Sequence, residues 1–289
     1  MTTATSPAEA DRALKAKHRA MWALGDYPAL ADHLISGLGQ VLTQACGVRP
    51  ADRVLDIAAG SGNAAIPAAL AGASVVACDL TPELLSAGKQ RAEQQGAELD
   101  WRQADAEALP FADGEFDTVM SCLGIMFAPH HQPSADELIR VCRPGGTIGL
   151  LSWTPEGFIG QMFATMTPYV PPSPPGAQPP PLWGRESHVR SLFGDRVTGI
   201  TARRDTICVD KFTSPEDFRD YFKAGYGPTI AAYRGIADDA RRTAALDRDL
   251  ADLARRHDNG TVHTIMNWEY LLLTARKHPD HAPAACSRH

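Results

Sequence analysis

Apolar positions in this chain follow two different spacings. Between about residues 53 and 153, short apolar runs alternate with stretches in which apolar residues recur every three or four positions. The first spacing suits strands buried on both faces and the second suits amphipathic helices, so the pattern predicts alternating β and α elements. Strands are expected at residues 53–58, 74–78, 99–103, 118–122 and 147–153. A small-residue helix over 64–70, closed by Gly72, separates the first two. Thr81-Pro82 places an N-cap before a proline at the first helical position and opens a helix to about Gln95. Ser134-x-x-Glu137 has capping-box spacing and opens another, which must stop at Pro144-Gly145-Gly146.

The flanks read differently. Ser6-Pro7-Ala8-Glu9 predicts a helix over about 7–24, broken by Gly25-Asp26-Tyr27-Pro28. Leu30, Leu34, Leu38 and Leu42 predict one further helix ending near Gly47. After Trp153 the rhythm is lost, and residues 168–181 hold eight prolines in fourteen positions, a stiff connector. Helices are expected at 186–193, after Ser214-Pro215 and over 238–257, where Leu246, Leu250 and Leu253 form a stripe. Residues 197–209 and 266–275 read as two late strands. The pattern therefore predicts an α/β chain built on a seven-stranded, mainly parallel sheet with helices on both faces. Residues 1–47 would form an N-terminal helical lid and 48–154 the core. Residues 155–277 would supply a substrate-capping insertion and the last strands, and 278–289 a disordered tail.

Composition narrows the function. The net charge of −6 argues against a general nucleic-acid binder, which needs a basic face to neutralise phosphates, and no run of Lys and Arg stands out. The stretch 57–78 carries no charge, but its Asn63 and Pro67 and its small residues suit two strands around a helix better than a membrane span. Residues 1–15 lack a signal-peptide profile, so a cytoplasmic protein without membrane association is expected. The six cysteines are scattered without a C-x-x-C pair, and no metal site is expected.

The chemistry concentrates in Val54-Leu-Asp-Ile-Ala-Ala-Gly-Ser-Gly-Asn63. Glycines at 60 and 62 let the backbone turn tightly and approach a ligand, and the next helix offers free N–H groups. Asp56 can accept from a cofactor amine or serve only the turn. Asp79, seventeen residues beyond Gly62, can grip ribose hydroxyls or serve only helix entry. Gly60-x-Gly62-x-x-Ala65 also satisfies the dinucleotide fingerprint, so an NAD(P)-dependent oxidoreductase competes on this loop alone.

Further motifs follow in order: Gln103-Ala-Asp105-Ala106-Glu-Ala-Leu-Pro-Phe111, then Phe116-Asp-Thr-Val119, then Arg143-Pro-Gly-Gly-Thr147. Together they resemble the class I S-adenosylmethionine-dependent methyltransferases, particularly the ubiquinone/menaquinone-methyltransferase-like branch. The likeness is strong over residues 50–153. The run His18-Arg-Ala-Met-Trp22-Ala-Leu-Gly-Asp-Tyr27 extends it toward small-molecule methyltransferases of actinobacterial type. The resemblance implies a Rossmann-like fold and S-adenosyl-L-methionine as cofactor. It implies that Asp56 and the backbone from Ala58 through Gly60 to Gly62 face the methionine part. Asp79 would hold the ribose, Leu80 the adenine face, and Asp105 with the Ala106 backbone the adenine amine. Ser121 to Met126 would line the methyl-donor site. Ala58 departs from the commoner glycine.

The acceptor is expected to be a small aromatic or apolar molecule methylated on O, N or C. His130 and His131, just past the fourth strand, are candidate general bases, with a solvated loop before the Ser134 cap as the other reading. Trp22 and Tyr27 are candidate lid residues, and Trp183, Tyr221 and Tyr226 candidate pocket walls. A non-catalytic S-adenosylmethionine-binding protein is the remaining alternative, since loop motifs report binding rather than turnover.

Overall fold

Four consecutive residues of β1 (Arg53–Ile57), from Val54 onward, are buried. Neighbours on a strand point to opposite faces, so unbroken burial means that both faces are covered. The same holds for β2 (Ser74–Asp79) and for most of β5 (Cys142–Trp153). With β3 (Asp100–Gln103), β4 (Phe116–Cys122), β6 (Val197–Phe212) and β7 (Thr264–Lys277) they form one seven-stranded sheet, ordered β3-β2-β1-β4-β5-β7-β6. Pairings from β3 through β5 are parallel, while β7 runs antiparallel to both β5 and β6. This computed structural model describes residues 6–279. The expected tail, apart from His278 and Pro279, and Cys286 lie outside those residues.

The predicted helices form where their caps place them, with four differences. Helix α1 (Pro7–Trp22) opens on a true capping box: Glu9 N–H donates to Ser6 Oγ, and Ser6 N–H to Glu9 Oε2 at 2.9 Å. The leucine stripe that reads as one helix is two, α2 (Tyr27–Ile35) and α3 (Leu38–Cys46), broken at Ser36-Gly37. Leu30, Leu34, Leu38 and Leu42 are all buried, so core burial continues across the break and hides it from the pattern. Helix α4 (Ala65–Leu70) follows the glycine loop. Before α5 (Pro82–Gln95), the Thr81 hydroxyl makes no capping bond; its backbone N–H donates to Asp79 Oδ1 instead.

The larger displacement concerns α6 (His131–Val141). Its N-cap is His130, not Ser134, because His130 N–H is held by Glu107 Oε1 at 2.7 Å, turning the chain four residues earlier. Ser134 lies inside the helix, its Oγ donating back to the His130 carbonyl. The helix also ends at Val141, and residues 143–146 form the irregular opening of β5.

Beyond β5, α7 (Phe158–Met166) leads to the proline-rich connector, whose Gln178 N–H donates to the Pro129 carbonyl at 2.9 Å. Helices α8 (Glu186–Phe193), α9 (Pro215–Gly225), α10 (Gly227–Gly235) and α11 (Ala240–His257) complete the region with β6 and β7. The predicted stripe Leu246, Leu250 and Leu253 on α11 is fully buried. None of the described helices is long and apolar enough to cross a membrane.

Candidate active site

Strand order reverses between β1 and β4, whose neighbours in sequence lie on opposite sides. At such a switch point the loops leaving the strand carboxyl ends diverge and leave a crevice. Here the crevice is a cleft with about 830 Å³ of empty space, its open mouth included. Its floor comes from the ends of four strands: Ala58 to Gly60 after β1, Asp79 to Thr81 after β2, Ala104 to Ala106 after β3, and Cys122 to Gly124 after β4.

Local geometry explains each contribution. Ala58 and Gly60 have φ of 53° and 56°, so the chain turns sharply and presents backbone to the cleft. Asp79 fixes this turn: Oδ2 accepts from Gly60 N–H at 2.9 Å and Oδ1 from Thr81 N–H at 2.8 Å. Burial pushes the Asp79 carboxyl up, and these two N–H groups offset part of the rise. Gly124 is required by close approach, since a Cβ there would stand 1.9 Å from the Ala58 carbonyl oxygen. Gly62 has a different function from the one expected. At φ 85° it faces away from the cleft, and its missing side chain makes room for the Trp101 ring.

Asp56 lies below the floor, 1% exposed, and neither carboxyl oxygen has a hydrogen-bond partner. Burial pushes it up to about 8; the Ala65 amide, near but outside hydrogen-bond geometry, opposes the rise and the Asp79 charge adds to it. An orphaned buried carboxyl beside a cleft is a group awaiting a donor. Asp56 does not itself line the cleft; Asp79, Leu80, Leu84 and Ala106, which do, offer a carboxylate for hydroxyl groups and an apolar face for a flat ring.

One side of the cleft is the face of α1 carrying Lys15, His18 and Trp22, three and then four residues apart. Lys15 Nζ is shared by Asp11, Asp105 and Glu107 at 3.0, 2.7 and 2.8 Å. Burial opposes its charge, but the three carboxylates together outweigh burial and raise the ammonium above its ordinary value. The free oxygen of the Asp105 carboxyl accepts from Glu107 N–H. Trp22 packs edge-on against Tyr27, Phe127 and Tyr226, with ring centroids 5.3, 4.6 and 5.7 Å away. Trp22, Tyr27 and Phe127 all line the cleft.

Of the expected site residues, Ala58, Gly60, Asp79, Leu80, Asp105, Ala106, Trp22 and Tyr27 line the cleft together. Others do not. Ser121 is fully buried, donating to the Ile57 carbonyl at 2.6 Å and accepting from Ile125 N–H, which pins the turn after β4 to β1. Met126 is buried behind that turn, and Leu123 and Phe127 face the cleft instead. His130 pairs with Glu107 at 3.0 Å outside the lining. His131 is wholly buried against His188 (2.9 Å) and Trp183, and burial with the two neighbouring imidazoles pushes it down to about 3. Trp183 belongs to that buried group, Tyr221 packs on His33 and Phe212, and Tyr226 backs Trp22 without reaching the cleft. Lys15 and His18 went unassigned from sequence, although their spacing with Trp22 on one helical face was readable.

The chain matches the model of a methyltransferase domain over residues 54–146. It is 54% identical to an uncharacterized protein of Mycobacterium tuberculosis over 95% of this chain and 99% of that one. A demethylmenaquinone methyltransferase of Renibacterium salmoninarum is 35% identical over 45% of this chain and 53% of its own length. Among solved structures, a putative methyltransferase from Bacillus halodurans superposes with a TM-score of 0.56 at 20% identity, covering 83% of this chain and 98% of that one. Nothing in these matches follows the dinucleotide reading of the glycine loop. The methyltransferase match spans the loops that build the cleft, so this chain carries a class I S-adenosylmethionine-dependent methyltransferase domain.

Proposed function

We propose that this methyltransferase acts on a small, largely aromatic or apolar acceptor, taken up beneath the first helix. The observation that carries this reading is the wall of Trp22, Tyr27 and Phe127 on the cleft, with the Tyr27 ring close against the turn at Gly60. Flat apolar rings are matched by aromatic faces, which offer large contact area at low entropic cost.

In this reading Asp79 holds the ribose hydroxyls, Leu80 lies against the adenine, and Asp105 with the Ala106 backbone meets its amine. Asp56 and the backbone of Ala58 to Gly60 hold the methionine end. S-Adenosylmethionine bound there supplies an electrophilic methyl group on a sulfonium. The chain's own work is alignment: holding acceptor and methyl donor at attack geometry is worth about 7–11 kcal/mol of barrier. Helix α1, tied down through Lys15, acts as the lid that excludes water.

Calorimetric titration with S-adenosylhomocysteine and a screen of hydroxylated and aminated aromatics for its release test the reading together. Micromolar binding with turnover of ring-bearing acceptors is the expected result. Turnover confined to flexible aliphatic amines or acids would overturn the aromatic assignment.

A further inference from the structure

Six side chains that line the cleft can gain or lose a proton: Lys15, His18, Tyr27, Asp79, Asp105 and Cys122. Five are unsuited to taking a proton from an acceptor. The Lys15 ammonium is held charged by its three carboxylates. Asp105 is that ammonium's partner and also accepts from Glu107 N–H, while Asp79 is held by the N–H groups of Gly60 and Thr81. Burial pushes the Tyr27 phenol and the Cys122 thiol up, so both keep their protons near neutrality and can only donate.

His18 is the remaining group. It stands on the face of α1 between Lys15 and Trp22 and is half-buried. The Phe127 carbonyl stands near the ring and favours its charged form, and a neutral imidazole always carries one nitrogen free to accept a proton. Around it stand Glu107, which favours the charged ring, and His130, which opposes it; Lys15 and Asp105 form the nearby ion pair. Burial outweighs the favourable contacts and pushes the imidazole down from its ordinary value, which favours the neutral ring.

We propose that His18 is the general base of this enzyme and that its acceptor is a weakly acidic hydroxyl on an aromatic ring, a phenol-type oxygen. This rests on the aromatic-acceptor reading above and sharpens it to one nucleophile. As the acceptor oxygen forms its bond to the methyl carbon, the free nitrogen of His18 takes the hydroxyl proton. The carbon–sulfur bond breaks and its electron pair returns to sulfur, leaving a neutral thioether. The imidazolium then releases its proton to water through the open mouth of the cleft. A ring nitrogen that already carries a free lone pair would not require such a base.

The test uses phenols and naphthols of graded acidity, from unsubstituted to dinitro-substituted rings, as methyl acceptors at pH 7. His18→Asn keeps a polar side chain near the Phe127 carbonyl but removes the base. Its kcat/KM is expected to fall about 10²-fold or more on unsubstituted phenols, yet no more than about threefold on dinitrophenols, which are already ionised. S-Adenosylhomocysteine affinity, measured by calorimetry, should stay within about twofold of wild type. In nuclear magnetic resonance titrations the wild-type chain should show a ring with a midpoint below 6.5, absent from His18→Asn. The acid limb of the wild-type kcat/KM profile should follow that midpoint and vanish in the variant. Equal rates, or a loss of the same size across all acidities, would overturn the base assignment while leaving the aromatic-acceptor reading intact. Turnover of no panel member, with S-adenosylhomocysteine still bound, would overturn both and leave the cofactor site standing.

Discussion

Lys15 Nζ lies 2.7 Å from Asp105 Oδ2, so the first helix is tied by an ion pair to the loop that follows β3. With the Glu107 contact beside it at 2.8 Å, it joins an element outside the sheet to the part of the cleft where the resemblance places the adenine amine.

If this pair holds the lid, Lys15→Met should loosen α1 without unfolding the core. Hydrogen bonds to charged groups contribute about 1.5–3 kcal/mol, which predicts amide exchange in α1 faster by about tenfold to hundredfold. Hydrogen-exchange mass spectrometry reads this directly. Protection of α1 unchanged from wild type would mean that apolar packing around Trp22, not the ion pair, holds the helix.

Asp79→Ala should weaken S-adenosylhomocysteine binding at least about tenfold, or about 1.4 kcal/mol. The loss has two sources, the missing ribose acceptor and the freed N–H groups of Gly60 and Thr81. Calorimetry giving wild-type affinity would remove Asp79 from the cofactor site.

Asp56 makes the cofactor-free protein pH-sensitive. Its folded value of about 8, raised by burial, stands above the 3.8 of an ordinary aspartate. Between those values the folded chain keeps a proton that the unfolded chain has released, so this residue's contribution to stability falls as pH rises through the window. Asp56→Asn should flatten that slope, as seen by chemical denaturation of both proteins at several pH values. Parallel slopes would show that Asp56 is already satisfied in solution.

Gly124→Ala should damage both fold and site, because its Cβ would meet the Ala58 backbone oxygen at 1.9 Å. Overpacking of this kind costs about 1–3 kcal/mol and would shift the turn at the cleft floor. Gly37→Ala is the control, with nothing within 4 Å of the added methyl. Thermal unfolding should separate the two variants clearly. A Gly124→Ala protein as stable as Gly37→Ala, binding S-adenosylhomocysteine normally, would contradict the close approach.

Local signals were reliable where local physics decides. The capping box at Ser6 and Glu9, the buried stripe on α11 and the strand–glycine–helix run at Val54 to Asn63 all act within a few residues. They stood in the structure as the chain announced them. The break at Ser36-Gly37 was hidden, because burial at Leu30, Leu34, Leu38 and Leu42 continues across it. The early start of α6 was hidden for another reason: Glu107, which holds His130 N–H, is twenty-three residues away.

The same division runs through the cleft. The chain alone determined the alternation of elements, the ordered motifs and hence the family, since each depends on neighbours in sequence. Which side chains face the cleft was decided only by tertiary structure. His130 and His131 sit beside the right strand end in sequence, yet one is paired with Glu107 and the other is buried against His188. His18, more than a hundred residues earlier, is delivered to the cleft by α1. Periodicity shows which residues share a helical face; only the packing of that helix on a distant loop shows what the face meets.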